Sequence, residues 1–210
     1  MSMIDRYSRS SRLGGAVLIA FLAFGLAGCN KSQAQLASDA LDAGLQAQTA
    51  GHLDEAITDY TECLKHDGLN KLCLYDLGTV YQAQGNLSQA EQEYRLALLA
   101  DAKYAPALFN LAIVLTKTGG TTEAISLYRQ FLEIKPADAS GHLNLGLLLE
   151  ATGDTAGGQA QIDQALAIDP TLASRLPSPS PGAPSPDAPS PSPSPSAAPS
   201  PSSSAKPRAS

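Results

Sequence analysis

Residues 105–138 read APALFNLAIVLTKTGGTTEAISLYRQFLEIKPAD, and this stretch decides the fold. Two helical patterns flank Gly119, where a left-handed cap can end the first helix without strain. Pro136 cannot continue a helix and closes the second. Gly119 has counterparts at Gly51, Gly85 and Gly153, each 34 residues apart. The chain therefore divides into four units of equal length with no insertion: 37–70, 71–104, 105–138 and 139–172. Helices are expected near 33–50, 54–67, 71–84, 88–101, 105–118, 122–135, 139–152 and 156–168.

Equivalent places in the four units carry equivalent residues. Places seven and eight are Ala43-Gly44, Leu77-Gly78, Leu111-Ala112 and Leu145-Gly146. Place twenty is Ala56, Ala90, Ala124 and Gly158, and place twenty-four is Tyr60, Tyr94, Tyr128 and Ile162. Place thirty-two is Gly68, Ala102, Pro136 and Pro170. Small residues at eight and twenty let two antiparallel helices approach closely, and the large residues at seven, eleven and twenty-four fill the space beside them. Period and residue types resemble the tetratricopeptide repeat. Gly51-His52-Leu53-Asp54-Glu55-Ala56-Ile57 and Leu132-Glu133-Ile134-Lys135-Pro136 read almost as its consensus. The resemblance covers 37–172. It implies an all-α fold, a right-handed α-solenoid of four helix-turn-helix repeats, in which each repeat buries its face on the next.

Two departures bear on stability. Place four, usually a large aromatic in the family, is Ala40, Leu74, Leu108 and His142, so the array is expected to be less tightly plugged. Gly157 and Gly158 lie inside the last helix, where each costs ~1 kcal/mol relative to alanine. No long capping helix follows, so the C-terminal end is expected to be the weak one.

In the resembled family the first helix of each hairpin lines a concave face. Carried over place by place, that face consists of Leu41, Asp42 and Leu45; Tyr75, Asp76, Thr79 and Gln82; Phe109, Asn110, Ile113 and Lys117; and Leu143, Asn144, Leu147 and Glu150. Places five and nine make an apolar stripe, and place six gives two acids and then two amides. The resemblance implies a groove for an extended or helical peptide. Asp42, Asp76, Asn110 and Asn144 would then hold its backbone or a basic side chain. On this reading Phe109→Ala with Tyr75→Ala should abolish capture without unfolding the domain. The other reading is that such residues are simply common at these places and that some of the leucines are core. Only Lys117 is available for clamping a C-terminal carboxylate, which argues against that mode.

The flanks are different materials. Arg6, Arg9 and Arg12 precede an uncharged apolar run, Leu13 to Leu26, that is short of the ~20 residues a spanning helix needs. It suits a secretory signal peptide over 1–28. Leu26-Ala27-Gly28-Cys29 resembles the bacterial lipobox, in which the cysteine is lipidated and the chain is cut before it. Two or three acyl chains at Cys29 would anchor the mature chain stably. Residues 29–36 would be a short tether holding the repeats near the bilayer. An uncleaved anchor with an incidental cysteine is the alternative. Both readings put the repeats outside the cytoplasm, because arginines stay inside. Asn30, not Asp, follows the cysteine, and the choice between cell membrane and outer membrane stays open. Residues 173–210 form the tail. From Pro177 it is Ser-Pro and Ala-Pro, too poor in apolar residues to fold. Extended at ~3.1 Å per residue it could reach roughly 100 Å, far enough to contact a wall polymer.

Charge and cysteines narrow the function. Residues 30–176 hold 9 Lys or Arg against 18 Asp or Glu, a net −9, which argues against nucleic acid as a partner. Cys63 and Cys73 lie at similar distances either side of Gly68 and could face each other across the junction of repeats one and two. A disulfide or two free core thiols both fit an exported domain. Cys63, His66 and Cys73 lack a fourth ligand and do not make a zinc site. No phosphate loop, nucleophile elbow or His-Glu metal motif is present, so neither cofactor nor catalysis is expected. The sequence thus points to an envelope lipoprotein that binds proteins. It would act either as a scaffold for membrane or envelope partners, or as a regulator of a wall-synthesising or wall-cutting enzyme with its tail on the wall.

Overall fold

The computed structural model describes residues 31–176. The expected signal peptide, the lipidation site Cys29 and the tail from Pro177 lie outside the described residues. Eight α-helices follow one another: α1 Gln33–Thr49, α2 Leu53–His66, α3 Lys71–Ala83, α4 Leu87–Ala100, α5 Ala105–Thr118, α6 Thr121–Ile134, α7 Ala139–Ala151 and α8 Thr155–Ile168. They match the eight expected spans to within one residue: α2, α4, α6 and α8 begin one residue early, and α1, α2, α3, α4, α6 and α7 end one residue early. Residues Gln33–Leu36 of the expected tether already belong to α1.

The local chemistry sets the ends. Ser32 Oγ accepts from Gln35 N–H at 3.2 Å and starts α1. Asn70 Oδ1 accepts from Leu72 and Cys73 N–H and starts α3. Asp138 and Asp154 do the same for α7 and α8 through Gly141 and Gly157. Each hairpin turns at its period-34 glycine, with φ of 81°, 80°, 90° and 93° at Gly51, Gly85, Gly119 and Gly153. A Cβ is strained in that left-handed region, so these four positions need glycine.

Within each hairpin, small residues meet a large one. A Cβ on Gly44 would lie 2.5 Å from the Tyr60 ring, and one on Gly78 2.7 Å from the Tyr94 ring. Tyr60, Tyr94 and Tyr128 are 0%, 0% and 2% exposed and Ile162 4%, so one large residue per repeat, a tyrosine in the first three, forms the spine of the core. Each helix packs on its neighbours in the chain. In addition α1 meets α3 and α3 meets α5, whereas second helices of successive repeats make no comparable contact among the described residues. Over the first three repeats the first helices are therefore the more closely packed side of the stack.

The last repeat differs from expectation. Gly158 is not merely a weak point: a Cβ there would run into Glu150 Cγ and lie 2.8 Å from Gly146 O. Its absence lets α7 and α8 touch backbone to backbone. Beyond α8 a 3-10 helix, Pro170–Arg175, closes the array and buries Leu172. The tail boundary expected at 173 falls inside this 3-10 helix.

Candidate peptide-binding groove

Sequence places the groove residues at two faces of each first helix, and the structure sorts them by depth. Asp42, Leu45 and Lys117 are exposed, Leu45 to 42%. Leu41, Tyr75, Asp76, Thr79, Gln82, Phe109, Asn110, Ile113, Asn144, Leu147 and Glu150 are half-buried. Leu143 is 1% exposed and belongs to the core, a correction to its assignment to the groove. The reason is that α7 carries Leu143, Leu145, Leu147, Leu148 and Leu149 around most of its circumference, so the helix sinks between its neighbours on several sides.

Hydrogen bonds tie the inner face across repeats. Gln48 Nε2 donates to Thr79 Oγ1 at 3.1 Å, linking α1 to α3. Asn110 Nδ2 donates to the hydroxyl oxygens of Tyr75 and Tyr94 at 3.2 and 3.4 Å, linking α5 to α3 and α4. Place twelve serves the buried tyrosine of its own repeat: Tyr60 O–H donates to Gln48 Oε1 at 2.6 Å and Tyr94 O–H to Gln82 Oε1 at 2.9 Å. Burial raises the Tyr128 phenol, and Thr116 and Asn144 beside it act in the opposite direction. Gln82 and Asn110 therefore hold the scaffold as well as line the face.

Aromatic rings form the floor of its middle. Tyr75 is edge-on to Tyr104 with centroids 5.4 Å apart, and tilted against Tyr94 at 5.8 Å. Phe109 packs on Tyr128 at 5.9 Å and on Phe131 at 5.0 Å. Phe109 and Tyr75 thus bear on the core, and truncating both removes packing as well as any contact with a ligand; the expectation of a fold-neutral double substitution is corrected. Tyr104 was missed in the sequence because it lies at place thirty-four, in the turn before α5, where no face is assigned by helical spacing. Burial raises the Asp76 carboxyl to about 6 and lifts the phenols of Tyr75, Tyr94 and Tyr104.

Cys63 and Cys73 are brought together across the turn and joined as a disulfide, with Cα atoms 6.4 Å apart. Ion pairs brace the outer joints: Arg95 grips Glu123 with two bonds of 2.6 and 2.8 Å between α4 and α6, and Lys71 reaches Asp101 at 2.6 Å. His142 is held by Gln161 Oε1 at 2.7 Å and the Pro136 carbonyl at 3.0 Å, a core-edge residue as its place suggests. Among the described residues no group of three or more His, Cys, Asp or Glu could hold a metal ion. Among them, too, no helix is long and apolar enough to cross a membrane. Two shallow clefts, about 520 and 530 Å³, lie over α6 and α7 on the second-helix side and share Arg129 and Leu149.

A family model described as tetratricopeptide repeat matches residues 41–106, 75–139 and 109–173. No curated protein matches the chain. Similar folds occur among solved structures. MamA from Desulfovibrio magneticus RS-1 is 20% identical over 66% of this chain and 78% of that one, with a TM-score of 0.62. The pilF protein of Pseudomonas aeruginosa is 21% identical over 67% and 64%, with a TM-score of 0.59. The first repeat domain of Spaghetti (RPAP3), solved with the HSP90 peptide SRMEEVD, is 22% identical over 60% and 99%, with a TM-score of 0.56. At these identities the likeness is one of fold.

Proposed function

Since the chain belongs to the tetratricopeptide repeat family, whose members are protein-interaction scaffolds, we propose that it is an envelope scaffold that binds a segment of a partner protein along the inner face of α1, α3, α5 and α7. One observation carries this: half-buried polar and aromatic side chains join the first helices of repeats one to three, through Gln48 to Thr79 and Asn110 to Tyr75. Such a surface offers apolar anchors at Leu41, Leu45, Ile113 and Leu147 beside acceptors at Asp42 and Asp76. A segment lying across it meets acids at the first two repeats and apolar anchors at the first, third and fourth. The Spaghetti domain, which holds a peptide, shares the fold and lends the reading support.

The anchor half of the proposal rests on Leu26-Ala27-Gly28-Cys29 behind a basic n-region. A lipid on Cys29 would place the repeats at a membrane surface, outside the cytoplasm, among envelope proteins. The Pro- and Ser-rich run from Pro177 favours a second role, contact with the wall polymer while the repeats bind a wall enzyme. Pull-down on peptidoglycan with and without residues 177–210 separates that role from scaffolding alone.

Photo-crosslinking in intact cells tests the groove. A reactive residue at Leu45 or Ile113 is expected to give one discrete adduct, and one at Leu99, which is 72% exposed on α4, none. Adducts from Leu99 only would move the binding surface to the second helices and overturn the groove. Palmitate incorporation lost on Cys29→Ser tests the anchor, and equal incorporation by the variant refutes it.

A further inference from the structure

Asp76 occupies place six of the second repeat, in the middle of the inner face. The corresponding residues in repeats three and four are Asn110 and Asn144. Asn110 bonds the buried tyrosine of the preceding repeat, Tyr94, at 3.4 Å. By the same rule Asp76 would be served by Tyr60. The Tyr60 hydroxyl instead donates to Gln48 at 2.6 Å. Among the described residues no hydrogen bond or ion pair reaches the half-buried Asp76 carboxylate, and burial raises it. Among those residues no fully buried side-chain oxygen lacks a partner, so the unbonded carboxylate keeps contact with solvent.

The groups that sense its charge are phenols from every neighbouring element: Tyr60 on α2, Tyr75 on its own helix, Tyr94 on α4 and Tyr104 before α5. The nearest lysine in sequence, Lys71, is bound to Asp101 at 2.6 Å and lies 5.2 Å over the Tyr104 ring. A carboxylate kept half-buried without a partner, beside tyrosine rings, weakens the fold. It is the complement of a planar or compact cation, which gains both the charge and the ring faces.

We propose that Asp76, with Tyr75 and Tyr104 beside it, seats one arginine or lysine side chain of the partner segment. The proposal rests on the groove reading above and adds to it a sign of charge and a position. Exposed Asp42 extends the negative surface toward α1. The fixed anion makes this seat select against acidic segments, the opposite preference to a carboxylate clamp.

Random peptides displayed on phage and selected on the immobilised full chain provide the test, with Asp76→Asn and Leu45→Glu as parallel targets. The expected result is a set of peptides sharing Arg or Lys at one position, weakened at least tenfold by Asp76→Asn. Their affinity should also fall between pH 7 and pH 5, as Asp76 takes up a proton. Peptides weakened by Leu45→Glu yet without a fixed basic position, or indifferent to Asp76→Asn, overturn the seat and leave the groove standing. Peptides indifferent to Leu45→Glu, or no selected peptide at all, overturn the groove and the seat with it.

Discussion

Gly146 and Gly158 face each other across the last hairpin so closely that a Cβ on either would lie 2.8 Å from the carbonyl oxygen of the other. The two adjacent glycines of α8 therefore have opposite roles. Gly158→Ala gains helix propensity but overpacks the crossing, and we expect a net loss of about 1–3 kcal/mol. Gly157→Ala meets only the Asp154 carboxylate, the cap of α8. There the propensity gain of ~1 kcal/mol offsets a cap loss of similar size, and stability should hardly change. Urea unfolding of both variants checks this, and equal midpoints would remove the close crossing as the explanation.

Asp76→Asn should stabilise the domain at pH 7.5. The ordinary carboxylate value of 3.8 is raised to about 6 in the fold, so the folded state binds the proton more tightly than the unfolded one. The stabilisation linked to that proton is complete below pH 3.8 and is lost as pH rises through 6. Allowing for partial solvent screening, we expect the Asn variant to gain about 1–2 kcal/mol at pH 7.5 and nothing at pH 4. The pH dependence of the thermal midpoint checks the sign; a gain that is the same at both values would contradict it.

The Cys63–Cys73 bond closes a loop with a sequence separation of 10. On the chain-entropy account, reduction should cost about 2–3 kcal/mol. Alkylation of the untreated protein followed by mass analysis decides the redox state: no label on either residue is expected, and two labelled thiols refute the bond.

Phe109→Ala should destabilise by about 2 kcal/mol, because the half-buried ring packs on Tyr128 and Phe131. Leu45→Ser, at a side chain that is 42% exposed, should lie within about 0.5 kcal/mol of native while weakening peptide binding. Paired unfolding and binding measurements separate packing from recognition, and a destabilised Leu45→Ser would show that this leucine too is core.

The repeat itself was legible in the sequence because its physics is local. A glycine every 34 residues, small residues at two fixed places and a tyrosine opposite them specify where each helix ends and how its partner packs. Spacing also brought Cys63 and Cys73 to the same joint. Depth was not legible. Helical spacing gives the direction of Leu143, Phe109 and Asp76, but exposure depends on how far each helix sinks between its neighbours. Tyr104 carries no helical spacing at all, and only the turn before α5 brings it against Tyr75.

The amino-acid order alone thus determined four hairpins and, to within one residue, their helix boundaries, because each follows from contacts within about one repeat; the inner row of first helices came from the family resemblance. The tertiary structure decided which members of that row are core, which hydroxyl turned toward Gln48, and that Asp76 was left with its charge uncompensated. Those outcomes arise from contacts between successive repeats, where the burial of one side chain is set by atoms some thirty residues away.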